Sequence, residues 1–336
     1  MKKIKSILIA YLICLSLLCT LVYSCKEENP VNPSTGPYQF DSARYSWTTD
    51  TILYQYSGEV FGLDTSHVYI VGNHSLTFFD GENYTRHSYG DLYFSAVDGF
   101  DPMHIYIAGA YPNGDNRLMK WDGSIYQDIP VPGDTNLSGG LTAVYAKSAG
   151  EIWLGSKGKI FLSNGSACIE YEIESSLRVS AFAELNGKVL AFGRRSISSG
   201  IEISVYQFED NSWTRTYFKQ FSFYEDPLVQ VKIGNELYGC MNGLLKFNGS
   251  DFSRILEPPT GYEMAVIVAG NTDNDFLTYL FTEHEAFFAN WNGIKWSREK
   301  YIVSPDYMKR IGRNYYIVES PCSSCNFIYL RIGRPN

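Results

Sequence analysis

A seven-residue phrase, Lys120-Trp121-Asp122-Gly123-Ser124-Ile125-Tyr126, returns along the chain with its turn intact. Phe78-Phe79-Asp80-Gly81-Glu82-Asn83-Tyr84 precedes it. Phe161-Leu162-Ser163-Asn164-Gly165, Lys246-Phe247-Asn248-Gly249-Ser250-Asp251-Phe252 and Asn290-Trp291-Asn292-Gly293-Ile294-Lys295-Trp296 follow it, with a looser copy from Tyr206 to Trp213. Each reads as an apolar strand, a tight turn and a strand carrying an aromatic. Asp-Gly or Asn-Gly between apolar runs predicts a hairpin closed by a type I′ turn, because both residue types tolerate the positive φ that such a turn demands.

Spacing turns the hairpins into an architecture. Gly81, Gly123 and Gly165 stand 42 residues apart, and Asn211, Gly249 and Gly293 follow at intervals of 46, 38 and 44. A period of about 40 to 50 residues that holds four strands is the pattern of a β-propeller blade. A second landmark recurs before each turn, an apolar strand ending in Gly: His67 to Gly72, His104 to Gly109, Glu151 to Gly155 and Lys188 to Gly193. Short apolar runs lie in front of these, such as Tyr93 to Val97, Leu141 to Tyr145 and Val229 to Ile233, and they suit innermost strands covered on both faces. Six complete units run from about residue 57 to 303. The remainder, Met308 to Val318 and Phe327 to Ile332, lacks an outer strand, which Tyr45 to Leu53 can supply. The predicted fold is therefore an all-β β-propeller of seven blades closed by the N-terminal strand, with no sheet edge left open at the junction.

The N-terminus reads differently. Lys2, Lys3 and Lys5 precede an apolar run from Ile7 to Val22, too short to span a bilayer and suited to a secretory signal. Val22-Tyr23-Ser24-Cys25 resembles the lipobox of bacterial lipoproteins, which implies cleavage after residue 24 and acylation of Cys25. Lys26, Glu27 and Glu28 resemble the export tag of surface lipoproteins of one Gram-negative phylum, which implies the outer face of the outer membrane; a periplasm-facing lipoprotein is the alternative. Residues 25–37 form a Pro-rich tether and 38–336 the propeller domain. The acyl chains would attach the protein to the membrane without a spanning helix.

Cleavage removes three lysines, moving the formal charge from −8 to −11. Such a chain is not expected to bind nucleic acid. The propeller repeats resemble the broad kelch, sialidase-repeat and sensor-propeller set, and Glu151-Ile152-Trp153-Leu154-Gly155 is closest to the sensor type. The kelch Gly-Gly doublet, the full sialidase Asp-box and the Trp-Asp ending of WD repeats are absent, so the resemblance carries no functional residues over.

Binding on a propeller tends to use the loops between second and third strands, which vary on a rigid frame. Those loops hold Asn73 and His74, Tyr111 to Arg117, Ser156 and Lys157, Arg194 and Arg195, Met241 and Asn242, Glu283 to Glu285, and Pro321 to Asn326. From them Tyr111, Arg194, Arg195 and His284 are the candidate rim. The two arginines would suit a carboxylate-bearing glycan or peptide, and as exposed residues they should be removable without loss of stability. Trp121 and Trp291 could stack on sugars, but their recurrence before the turn favours packing within a blade. His67 and His104 occupy equivalent places in successive repeats and read as turn residues. Cys322 and Cys325 suit a local disulfide in an exported chain. No nucleophile elbow, zinc-binding motif or phosphate-cradling loop appears, and neither metal nor cofactor is expected. Three functions stay open: a binding module for glycan or protein, a carbohydrate-active enzyme with carboxylates in the central channel, and a structural subunit of an outer-membrane complex.

Overall fold

The computed structural model describes residues 39–53, 59–132, 140–222, 229–233, 236–240, 242–299, 306–320 and 327–336. The signal, Cys25 and the whole tether, Met241, Cys322 and Cys325 lie outside the described residues. Residues Phe40–Asn336 form one compact unit, and the described part of it contains 26 strands and no helix.

Strand β1 (Tyr45–Leu53) stands apart from the next six in sequence. β2 (Val60–Asp64), β3 (His67–Phe79), β4 (Tyr84–Asp101), β5 (His104–Ala110), β6 (Asn116–Trp121) and β7 (Tyr126–Ile129) form one six-stranded sheet. Four-stranded meanders follow: β8 (Ala143–Ser148), β9 (Glu151–Gly155), β10 (Lys159–Ser163) and β11 (Cys168–Glu172), then β12 (Arg178–Leu185), β13 (Lys188–Ile197), β14 (Gly200–Glu209) and β15 (Ser212–Ser222). The next are β16 (Val229–Ile233), β17 (Glu236–Cys240), β18 (Leu244–Phe247) and β19 (Phe252–Leu256), then β20 (Glu263–Thr272), β21 (Asp275–Phe281), β22 (Ala286–Trp291) and β23 (Trp296–Arg298). In the last sheet β24 (Tyr307–Ile311), β25 (Asn314–Glu319) and β26 (Phe327–Pro335) are completed by β1, which pairs along its whole length with β26, Tyr45 opposite Pro335 and Leu53 opposite Phe327.

The first strands of successive units touch in a closed circuit, β24 to β2, β2 to β4, then β8, β12, β16, β20 and back to β24. That circuit makes the molecule a β-propeller. Within the six-stranded sheet β4 serves twice, its first residues pairing with β3 and Tyr93 to Asp101 with β5. β3 also turns back on itself. The rings of Tyr69 and Phe78 lie 5.3 Å apart, whereas nine residues of extended strand would separate them by about 30 Å. His74, at the bend, has a φ of 62°.

Apolar cores lie between neighbouring sheets, as strands covered on both faces require. Trp153 of β9 packs edge-on against Phe208 of β14 at 4.6 Å and Trp213 of β15 at 5.2 Å, and Leu237 and Phe247 of one sheet share a cluster with Phe192 and Val205 of the previous one. Glycine in a second strand permits such close approach. A Cβ on Gly155 would lie 2.5 Å from Val179 of the next sheet, and within one sheet a Cβ on Gly109 would lie 2.2 Å from the Tyr93 carbonyl oxygen of the adjacent strand.

The repeated turns are hairpins but not of the expected type. In the Asp80, Asp122, Asn164, Asn248 and Asn292 copies only the glycine has positive φ, from 85° to 108°. The Asx residue holds the turn with its side chain instead: Asp122 Oδ1 accepts the backbone N–H of Ser124 (3.0 Å) and of Ile125 (2.8 Å), and Asn248 Oδ1 does the same for Ser250 and Asp251. Two consecutive positive-φ residues, as a type I′ turn needs, occur at Asp210-Asn211 and at Asn186-Gly187.

These turns should differ in their response to acid. Backbone hydrogen bonds from Ile125 and Ser124 hold the Asp122 carboxyl below its ordinary value of 3.8, and those from Asn83 and Glu82 do so for Asp80. A depressed carboxylate contributes above its unfolded pKa and loses the contribution as pH falls through its folded one. Amide exchange at Ser124 and Ile125 should therefore accelerate in acid relative to Ser250 and Asp251, whose Asn acceptor does not titrate. Equal acceleration at both turns would contradict the side-chain role.

The same device explains the two histidines. His67 Nδ1 lies 2.9 Å from Asp64 and His104 Nδ1 2.8 Å from Asp101, each clasping the turn between first and second strands. Hydrogen bonds from Ser66 and His67 outweigh the effect of burial on Asp64 and bring it down to about 2.

Candidate functional site

Successive strands of an up-and-down meander reverse direction, so all turns between second and third strands emerge at one end of the ring. Topology thus places Tyr111, Lys157, Arg194, Arg195 and His284 at a common end, with Arg194 and Arg195 neighbours on β13 and Tyr111 and His284 on the turns after β5 and β21. Their local roles differ. Tyr111 lies under the Arg117 guanidinium, 5.1 Å from ring centroid to cation. His284 is exposed on a turn held by Thr282, whose Oγ1 accepts the N–H groups of His284 and Glu285 at 3.1 Å. Glu285 beside it braces the sheet, accepting from Tyr262 Oη at 2.8 Å and Arg298 at 2.9 Å. Asn242, with a φ of 45°, binds the Met264 N–H of the next sheet.

Arg195 is not the exposed partner of Arg194 that its place in the sequence suggested. Side chains alternate along β13, so the two point to opposite faces. The Arg195 guanidinium donates through Nε to Glu202 at 2.8 Å and through a terminal nitrogen to Ser176 at 2.9 Å, and pairs with Glu174. Glu202 is fully buried and Arg195 is 22% exposed. That arrangement makes Arg195 a structural counter-ion, and truncating it would strand a buried carboxylate.

Arg194 points the other way and joins a row. On β12 its register partner is Arg178, and on the opposite side Arg178 bridges Lys157. The flanking bonds, Val179 N–H to the Ser156 carbonyl at 3.1 Å and Gly158 N–H to the Leu177 carbonyl at 2.7 Å, define Lys157 and Arg178 as a non-hydrogen-bonded pair, the closer kind, with Cα atoms about 4.5 Å apart. Arg178 and Arg194 are exposed and Lys157 is half-buried. Among the described residues none of the three makes an ion pair. Arg178 opens a first strand rather than following a second one, so no reading of the loops alone could find it.

Two buried carboxylates elsewhere have partners. Glu299 accepts from the Arg44 and Tyr45 N–H groups and from Ser297, and Glu319 pairs with Arg331 at 2.7 Å. Among the described residues no group of three metal-ligating side chains comes together. Trp121 packs within its own sheet, 4.7 Å from Tyr126 and 4.5 Å from His87.

No family model matches the chain, and no curated protein matches it in sequence. Solved structures do match. The chain is similar to YCF48 bound to D1 peptide, with 15% identity and a TM-score of 0.65 over 90% of this chain and 100% of that one. It is similar to YCF48 from Cyanidioschyzon merolae, with 14% identity and a TM-score of 0.60 over 85% and 98%. The β-propeller domain of Cps50 (Swd1) from Myceliophteria thermophila gives 10% identity and a TM-score of 0.54 over 84% and 98%. At such identities the likeness establishes the class, a β-propeller, and no more.

Proposed function

We propose that this protein is a lipid-anchored binding module, a seven-bladed propeller held at the cell surface through acylated Cys25 and offering one end of its ring to a protein partner. The observation that carries the reading is that a single propeller accounts for the compact unit from Phe40 to Asn336 and matches, end to end, a propeller whose structure holds a peptide. A rigid ring with variable loops at one end is a platform for recognition. Seven blades are supported by the circuit of first strands and by the bend of β3, which together divide the six-stranded sheet into two sets of four. Ser24-Cys25 and the charges of Lys26, Glu27 and Glu28 support the anchor and its outward orientation.

Two variants test the anchor separately from the platform. Cys25→Ala should leave the precursor unacylated and uncleaved. Replacing Lys26, Glu27 and Glu28 by Ala should preserve the lipid but abolish labelling of whole cells by a membrane-impermeant reagent; unchanged labelling would refute the surface assignment. Capture of partners by the intact lipoprotein from detergent-solubilised membranes tests the platform, and recovery of glycan without protein would refute a protein partner.

A further inference from the structure

Three cations side by side, two on paired strands and one on a turn bridged to them, oppose folding. Side chains directly opposite in an antiparallel pair have Cβ atoms about 5 Å apart, and like charges there are unfavourable. Lys157, Arg178 and Arg194 occupy three such places in sequence, with two direct pairings between them. Nearby carboxylates do not relieve the row. Glu202 and Glu174 are held by Arg195, and Glu174 also by Arg215 at 2.9 Å. Counting these side chains together gives five cations against two carboxylates, a local charge of +3 on a chain whose formal total is −8. A concentration of this kind, against the sign of the whole molecule, has its use when an anion arrives.

We infer that the Lys157–Arg178–Arg194 row is the docking site for an acidic peptide segment of the partner protein. The inference rests on the proposed binding function and adds to it a place and a chemistry. Two guanidinium groups in register offer parallel N–H forks suited to carboxylates, and the Lys157 ammonium supplies a compact third charge. An extended acidic segment brings several carboxylates on flexible stems and can match the row without a shaped pocket. Arg195 anchors the site from beneath: with Glu202 and Ser176 it holds the end of β13, and its charge is already neutralised.

The test uses a dye-labelled hexaglutamate peptide, polygalacturonate as the competing polyanion, and the acylated full-length protein in detergent. The variant carries Lys157→Gln, Arg178→Gln and Arg194→Gln together. Its melting temperature should equal or exceed the wild type's, because like-charge repulsion is removed, while hexaglutamate binding at low salt weakens about tenfold or more, as expected for the loss of three exposed charge pairs. A row that served stability would instead show a lower melting temperature on neutralisation, which would overturn the inference. Unchanged hexaglutamate affinity, or tighter binding of polygalacturonate than of the peptide, would also overturn it. Partner capture from membranes separates the two levels: a partner retained equally by variant and wild type refutes the row but leaves the platform standing, whereas no protein partner for either refutes the platform itself.

Discussion

A chain that begins at Gly58 should melt more than 10 °C below one that begins at Tyr38, and should aggregate where the longer chain refolds. The shorter chain lacks β1, whose nine residues complete the last sheet against β26. Its loss bares the backbone edge of β26 and uncovers Leu330 and Ile332, both buried beside Ile52. It also removes a latch. Asp41 exchanges backbone hydrogen bonds with Trp296 and Arg298 of the preceding sheet at 2.9 and 3.1 Å, so the N-terminal segment fastens two sheets before closing the second. Glu299 is the keeper of that latch, 6% exposed and accepting three hydrogen bonds. Glu299→Ala in the longer chain should cost on the order of 3 kcal/mol by leaving buried donors unpaired. Scanning calorimetry of the three chains checks the order, and equal melting temperatures would mean that the ends do not hold the ring together.

Arg195→Ala should be the most damaging substitution at the candidate binding end, at about 3 to 5 kcal/mol, because the fully buried Glu202 would lose its ion-pair partner. Arg194→Ala, one residue away, should change stability by about 0.5 kcal/mol or less. The contrast is the diagnostic part. Urea denaturation of both variants, with Arg195→Ala/Glu202→Leu as a third, separates loss of the pair from loss of one partner; the double variant should regain much of the stability. Similar effects of the two arginines would contradict the assignment of opposite faces.

Much of the ring was legible because its signals are local. Asp122-Gly123 and its copies marked the hairpins, and the run from Tyr45 to Leu53 was identifiable as an outer strand without a sheet, which is where β1 pairs. The turn type was not legible, since whether Asp122 adopts positive φ or caps the turn with Oδ1 depends on backbone geometry that Asp-Gly permits in either form. Glu299 and Arg44 are 255 residues apart and share no motif. Arg195 and Glu202 could have been matched had the hairpin at Ser198 and Ser199 been placed, because Ile197 opposite Gly200 fixes Arg195 opposite Glu202. Arg178 belongs to the row only through register with β13 and an isolated bridge to the β9–β10 turn of the neighbouring sheet. The residues of the proposed docking row are departures from the repeat, and they come together only once the strands have been laid side by side.

Site-specific photocrosslinking in intact cells tests whether the end of the ring that carries Lys157 and Arg178 is the docking face. A photoreactive residue at position 157 lies at the end of the second-to-third strand turns; one at position 125, where Ile125 is 57% exposed, lies at the opposite end on a third-to-fourth strand turn. A discrete crosslinked protein band is expected from position 157, shared by a probe at Arg178, and none from position 125. A band from position 125 alone, or equal bands from both ends, would contradict that docking face.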